Sequence, residues 1–157
     1  MKGFKKEDIT PVNVSEQQIW KIFDILRSEI EIREYHVLLF LLSLYKDGII
    51  SKEILSDQVD VHENIFTKIH EFDKVIAKQY GPIYQCFEST IKRISSNGLI
   101  AIIKSLSDLD KEVLSRDFHL IFDSTLYRIT QSQGRHSGEY IQPVELTRFI
   151  CSLVDLP

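Results

Sequence analysis

V-L-L-F-L-L-S-L-Y, Val37 to Tyr45, is the stretch on which the fold turns. From Leu38 to Leu42 it is apolar nearly all round a helical projection, so a helix here has no face for water and is surrounded by others. It is about half of the roughly 20 residues that a membrane-spanning helix needs. The spacing predicts a helix from Arg33 to Lys46 that is the hub of a core, with Gly48 placed to terminate it.

Elements of helical period flank this hub. Upstream, S-E-Q-Q offers Ser15 as N-cap and Gln18 at N3, a capping box, with Val14 and Ile19 set for a hydrophobic staple. Ile19, Trp20, Ile22, Phe23, Leu26 and Ile30 continue the apolar stripe. Downstream, a polar connector containing Ser51 and Asp57 leads to Ile65, Phe66, Ile69, Phe72, Ile76 and Tyr80, stopped by Gly81-Pro82. Pro82 suits the first turn of the next helix, with Ile83, Phe87, Ile91 and Ile94 inward and an end at Asn97-Gly98.

The run L-I-A-I-I-K-S-L, Leu99 to Leu106, fits a short buried strand as well as a helix; helices on both sides favour helix. A further helix covers Asp110 to Thr130, with Val113, Leu114, Phe118, Ile121, Phe122 and Leu126 inward. The expected fold is all-α, a compact multi-helix bundle. Its map is an irregular arm over residues 1–14, a helical domain over 15–130, a polar linker over 131–138 and a final element over 139–157. In that last element Pro143 at N1 and Glu145 at N3 open a helix with Leu146, Phe149, Ile150, Leu153 and Val154 on one face. That face needs a partner, either this domain's own core or a domain downstream.

At 157 residues and 43% hydrophobic, the composition is that of one domain with a substantial core. A formal charge of -4 and a pI near 5.7 argue against a broad nucleic-acid platform, which is normally strongly basic. Cys86 and Cys151 are isolated, so neither a disulfide framework nor a zinc cluster is written here. Met1 to Thr10 is lysine-rich but polar, without the apolar run of a secretory leader. These features fit a cytoplasmic, reducing setting with no membrane association.

Catalytic signatures are largely excluded. The glycines at 3, 48, 81, 98, 134 and 138 form neither G-x-G-x-x-G nor a Walker A loop. No pair among His36, His62, His70, His119 and His136 has the spacing of a helical zinc site. Asp108, Asp110 and Glu112 imitate a calcium loop, but Val113 replaces its turn glycine and His119 its bidentate glutamate; acidity at a helix start explains them better. Ser89-Thr90-Ile91-Lys92 matches S-x-x-K without companion motifs.

Two segments carry a family resemblance. The first is I-W-K-I-F-D-I-L-R-S-E-I, Ile19 to Ile30, followed by Tyr35 and the leucine-rich run. It resembles the amino-terminal pattern of the modification subunit of type I restriction-modification systems, in which Trp20, Asp24, Leu26, Arg27 and Tyr35 would hold the family's places. The second is Phe122 to Ile150, where a helix and a polar glycine-containing stretch precede G-E-Y-I-Q-P. This is similar to the family's G-[EQ]-[YF]-[YF]-T-P segment, with Ile141 in place of an aromatic and Gln142 in place of threonine.

The resemblance implies an adenine-N6 DNA methyltransferase that uses S-adenosyl-L-methionine. Glu139, Tyr140, Ile141, Gln142, Pro143 and Val144 would be its cofactor-contacting stretch: an aromatic can pack on the cofactor, and free amides at a helix start can meet its carboxylate. The implied partners are a specificity subunit, through it the restriction subunit, and DNA in the assembled complex. The family's D-P-x-x-G-S-G and N-P-P-[FY] loops are not among these residues. The 139–157 element would then begin an α/β methylase domain, catalytic residues would lie downstream, and these 157 residues alone would not transfer methyl groups. A different class of reading is a free-standing helical interaction or regulatory module that binds a partner protein and no cofactor.

Overall fold

The computed structural model describes residues 11–56, 59–75 and 80–137. Among them are six α-helices and no strand: α1 (Pro11–Glu29), α2 (Val37–Lys46), α3 (Val61–Val75), α4 (Tyr80–Arg93), α5 (Ser96–Ser107) and α6 (Lys111–Ser137). Two 3₁₀ turns, Ile32–Glu34 and Lys52–Leu55, lie between them. The chain is an all-α bundle. The Leu99–Leu106 run lies inside α5, so its ambiguity resolves to helix.

The hub forms and ends at Lys46 as expected, but it starts at Val37 rather than Arg33, because Ile32–Glu34 make a separate 3₁₀ turn before it. Val37, Leu38, Leu41, Leu42 and Leu44 of α2 have no solvent exposure. α2 packs on α4, α5 and α6, α1 lies against α5 and α6, and α3 lies against α4 and α5. Phe40 ties α2 to α4, stacking on Phe87 with centroids 5.4 Å apart. Gly48 ends α2 at φ 74. The Ile49 amide bonds the Leu44 carbonyl at 2.9 Å and the Gly48 amide bonds that of Tyr45 at 3.0 Å, the pair of bonds that closes a left-handed helix end.

Several boundaries differ from the sequence reading, each for a local reason. α1 begins at Pro11, so Ser15 lies inside it and residues 11–14 are not an irregular arm. Proline's fixed φ suits a first turn. Gln18 is then free of capping, and its side-chain amide donates to the Asp108 carbonyl at 2.9 Å. Tyr80-Gly81-Pro82 opens α4 instead of closing α3, because the Asp73 carboxylate accepts the Tyr80 amide at 2.9 Å and also that of Gly81. Asn97-Gly98 lies in the first turn of α5, since Ser95 Oγ accepts the Gly98 amide at 3.0 Å as its cap.

α6 runs on to Ser137 through the stretch expected to be a linker. Gln131, Ser132 and Gln133 are compatible with helix, and Gln133 Nε2 donates to the Ile32 carbonyl at 2.9 Å, holding this end against the turn after α1. The helix is kinked at Asp117, where φ is -109 and ψ is 19. Asp110 caps its start, accepting the amides of Glu112 at 2.8 Å and Val113 at 3.0 Å. Leu114, Ile121 and Ile129 are its buried apolar residues, while Phe118, Phe122 and Leu126 pack partly buried against the core. Trp20, Phe66 and Ile83, expected inward, are instead among the exposed large hydrophobic residues. Residues 1–10 and the Pro143 helix lie outside the described residues.

Candidate functional site

Trp20, Asp24 and Arg27 are spaced i, i+4 and i+7, so they share one face of α1, while Ile22 and Leu26 have no solvent exposure. The Asp24 carboxylate and the Arg27 guanidinium pair at 3.2 Å on the surface. Tyr35, after the turn, packs beside them: its ring lies 5.7 Å from that of Phe23, which lies 5.7 Å from the Trp20 indole. Burial pushes the Tyr35 phenol above its ordinary range, although the neighbouring Arg27 pulls it back. Trp20, Asp24, Arg27 and Tyr35 thus form one patch with a charged rim, while Leu26, the fifth residue of the pattern, is buried in the core.

α6 completes this patch. The Arg128 guanidinium sits 4.6 Å from the centroid of the Trp20 indole and bonds Glu16 at 3.1 Å. Ser124 Oγ donates to the other Glu16 oxygen at 2.9 Å, so one carboxylate grips two successive turns of α6. Arg128 Nη1 is buried without a hydrogen-bond acceptor, so the guanidinium is held by Glu16 through Nη2 and by the indole face. Trp20 remains 42% exposed over this base. A rigid, half-exposed tryptophan backed by an arginine is suited to recognition of a protein surface.

A second concave region lies between α3 and α4, a cleft of about 370 Å³. Phe66 and Tyr84 form its apolar wall, and Asp60, Glu63, Glu88 and Lys92 bring charge. His62 anchors one end, with Nδ1 3.1 Å from Asp60 and Nε2 2.8 Å from the Ile94 carbonyl. The His62 amide bonded to Asp60 holds that carboxyl below its ordinary range. Burial pushes the Tyr84 phenol up, and the Glu88 carboxylate adds to this.

Among the described residues, the remaining sequence candidates do not converge. No group of histidine, cysteine and carboxylate side chains among the described residues is placed to hold a metal ion. His70 and His119 are exposed, His36 is half-buried, and the His136 side chain lies outside the described residues. Cys86 is a free, exposed thiol. Asp108 pairs with Lys52 at 3.6 Å while Asp110 caps α6, so the acidic cluster has structural employment. Glu139, Tyr140, Ile141, Gln142, Pro143, Val144 and Cys151 lie outside the described residues. The Glu16–Arg128 tie, 112 positions apart, leaves no local sequence signal.

Comparison with protein-family models, with curated proteins and with solved structures finds no match to this chain.

Proposed function

We propose that the chain is the helical amino-terminal region of the modification subunit of a type I restriction-modification system, acting in the cytoplasm in assembly with a specificity subunit and in methylation of DNA at adenine N6. The observation that carries this reading is the order of two segments, the Trp20-Asp24-Leu26-Arg27-Tyr35 pattern and, beyond α6, Gly138-Glu139-Tyr140-Ile141-Gln142-Pro143. The convergence of Trp20, Asp24, Arg27 and Tyr35 on one patch supports it, because dispersed residues would have no common task. So does the Glu16–Arg128 tie, which joins that patch to the helix leading toward the second segment.

In this reading the Trp20 patch faces protein, in keeping with the acidic balance of the chain, and the 139–144 stretch contacts S-adenosyl-L-methionine once a methylase domain with its glycine-rich and N-P-P-[FY] loops is joined to it. The restriction subunit is reached through the specificity subunit.

The test is co-expression of the complete reading frame with a specificity subunit encoded beside it, followed by transfer of labelled methyl groups to adenine N6. Deleting residues 1–137 is expected to abolish co-purification with the specificity subunit. Replacing Tyr140 and Gln142 by alanine is expected to weaken S-adenosyl-L-methionine binding in calorimetry. A stop codon after Pro157 with no methylase domain encoded, or unchanged affinity after both replacements, would sink the enzyme reading or the cofactor role respectively.

A further inference from the structure

The cleft between α3 and α4 holds chemistry that the methylase-subunit reading does not use. Glu63 lies in the first turn of α3 and Phe66 one turn further along the same face. Phe66 is 49% exposed, a large apolar ring held at the surface. It is fixed from two sides, with Tyr84 tilted against it at 5.6 Å and the His70 imidazole stacked on it at 6.2 Å and 13°. Across the cleft Glu88 forms a surface pair with Lys92 at 2.6 Å. Asp60 is occupied by the His62 amide at 2.9 Å and by Ser96 Oγ at 3.3 Å.

The balance of charge selects the occupant. Three carboxylates, the Lys92 ammonium and the His62 imidazole line the cleft. Lys92 is paired with Glu88 and His62 is held by Asp60 and the Ile94 carbonyl, so the balance stays negative, with Glu63 unpaired among the described residues. An acidic ligand would meet like charge. A purely apolar ligand would strip water from Glu63 and Glu88 and return no hydrogen bond. A planar cation meets both demands, because a guanidinium stacks on an aromatic face while donating in its plane to carboxylates. An ammonium lacks the flat face and carries a tighter hydration shell.

We propose that this cleft is a docking site for an arginine side chain presented by a basic segment of a partner protein. The guanidinium stacks on the part of the Phe66 ring that Tyr84 and His70 leave exposed and donates to Glu63 and to Glu88 Oε2, Lys92 holding Oε1. The site rests on the cleft alone, not on the methylase reading.

The experiment is a titration of the full chain, isotope-labelled for amide NMR, with a short, end-capped peptide whose one charged residue is a central arginine. Parallel peptides carry citrulline, lysine or glutamate there. Arginine is expected to shift amides around Glu63, Phe66, Tyr84 and Glu88. Citrulline, which keeps the shape but not the charge, is expected to bind about tenfold more weakly, and lysine to fall between. Glu63→Gln and Phe66→Leu are each expected to weaken the arginine peptide about three- to tenfold without altering the spectrum of the rest of the bundle. Glu63 is a surface residue and leucine keeps an apolar side chain against Tyr84, so both variants should fold. No shifts in the cleft, equal binding of citrulline or lysine, or preference for the glutamate peptide would each overturn the proposal. Such a failure leaves methyl transfer and the 139–144 stretch untouched, so the two readings fail separately.

Discussion

Glu29, the last residue of α1, holds the start of α5: its carboxylate accepts the Ser95 amide at 2.8 Å and the Ser95 hydroxyl at 2.9 Å. The positive end of the α5 dipole favours a carboxylate there. Gly98 is what makes room, because a β-carbon at that position would overlap the Glu29 carboxylate. Glu29→Ala is therefore expected to destabilise the chain by ~1 kcal/mol. In a Gly98→Ala background, where the carboxylate is already displaced, it should cost almost nothing. Urea denaturation of the four members of this cycle gives the coupling directly. Additive effects would show that the two residues are independent.

Gly48 poses the opposite case. Nothing lies within 4 Å of a β-carbon built there, so any cost of substitution comes from its φ of 74 and not from crowding. Gly48→Ala is expected to cost ~1 kcal/mol, and Gly48→Asn less, since asparagine visits the left-handed region more readily. Equal midpoints for the two variants in urea would contradict this account.

What the sequence carries follows from the range of the interaction. The α2 hub, its Gly48 terminus and the Asp110 start of α6 depend on neighbours within a few residues, and all are legible in the apolar run or the capping chemistry. The boundaries at Gly81 and Asn97-Gly98 are misread because they depend on helix-start partners that the Gly-Pro and Asn-Gly pairs do not reveal, Asp73 for α4 and Ser95, held by the distant Glu29, for α5. The same holds for the candidate sites. Trp20 reads as core by period, yet Arg128 from the far end of the chain covers one side of it and leaves the other exposed. The Phe66 cleft arises only where α3 and α4 meet.

Trp20 and Leu41 separate the two roles of apolar residues. Leu41 has no exposure at the centre of the hub, so Leu41→Ala is expected to cost ~2–5 kcal/mol in lost burial and cavity formation. Trp20→Ala should cost roughly 1 kcal/mol, because the indole is partly in solvent and its main partner is a cation. The chain has one tryptophan, so its fluorescence reports this site alone. Arg128→Ala should shift that emission to longer wavelength as water reaches the uncovered face, and an unchanged spectrum would argue against the stacking.

Asp47 and Tyr80 supply a dependence on pH at both extremes. The Tyr80 hydroxyl donates to the Asp47 carboxylate, joining the end of α2 to the start of α4. Burial pushes the Asp47 carboxyl up, but hydrogen bonds from Lys46 and Tyr80 outweigh it and hold the group below its ordinary 3.8. Because its folded value is lowered, its contribution is present above 3.8 and is lost as the pH falls through the lowered value. Tyr80 is raised above 10.0, first by burial and then by the Asp47 carboxylate, so its contribution is full below 10.0 and is lost as the pH rises through the raised value. Asp47→Asn should cost about 1 kcal/mol at neutral pH and converge on the parent chain in acid. Tyr80→Phe should flatten part of the alkaline loss, the phenols of Tyr35, Tyr45 and Tyr84, shifted in the same direction, retaining the rest. Urea midpoints from acid to pH 11 check both limbs, and parallel curves for parent and variants would show that this bond contributes nothing to either.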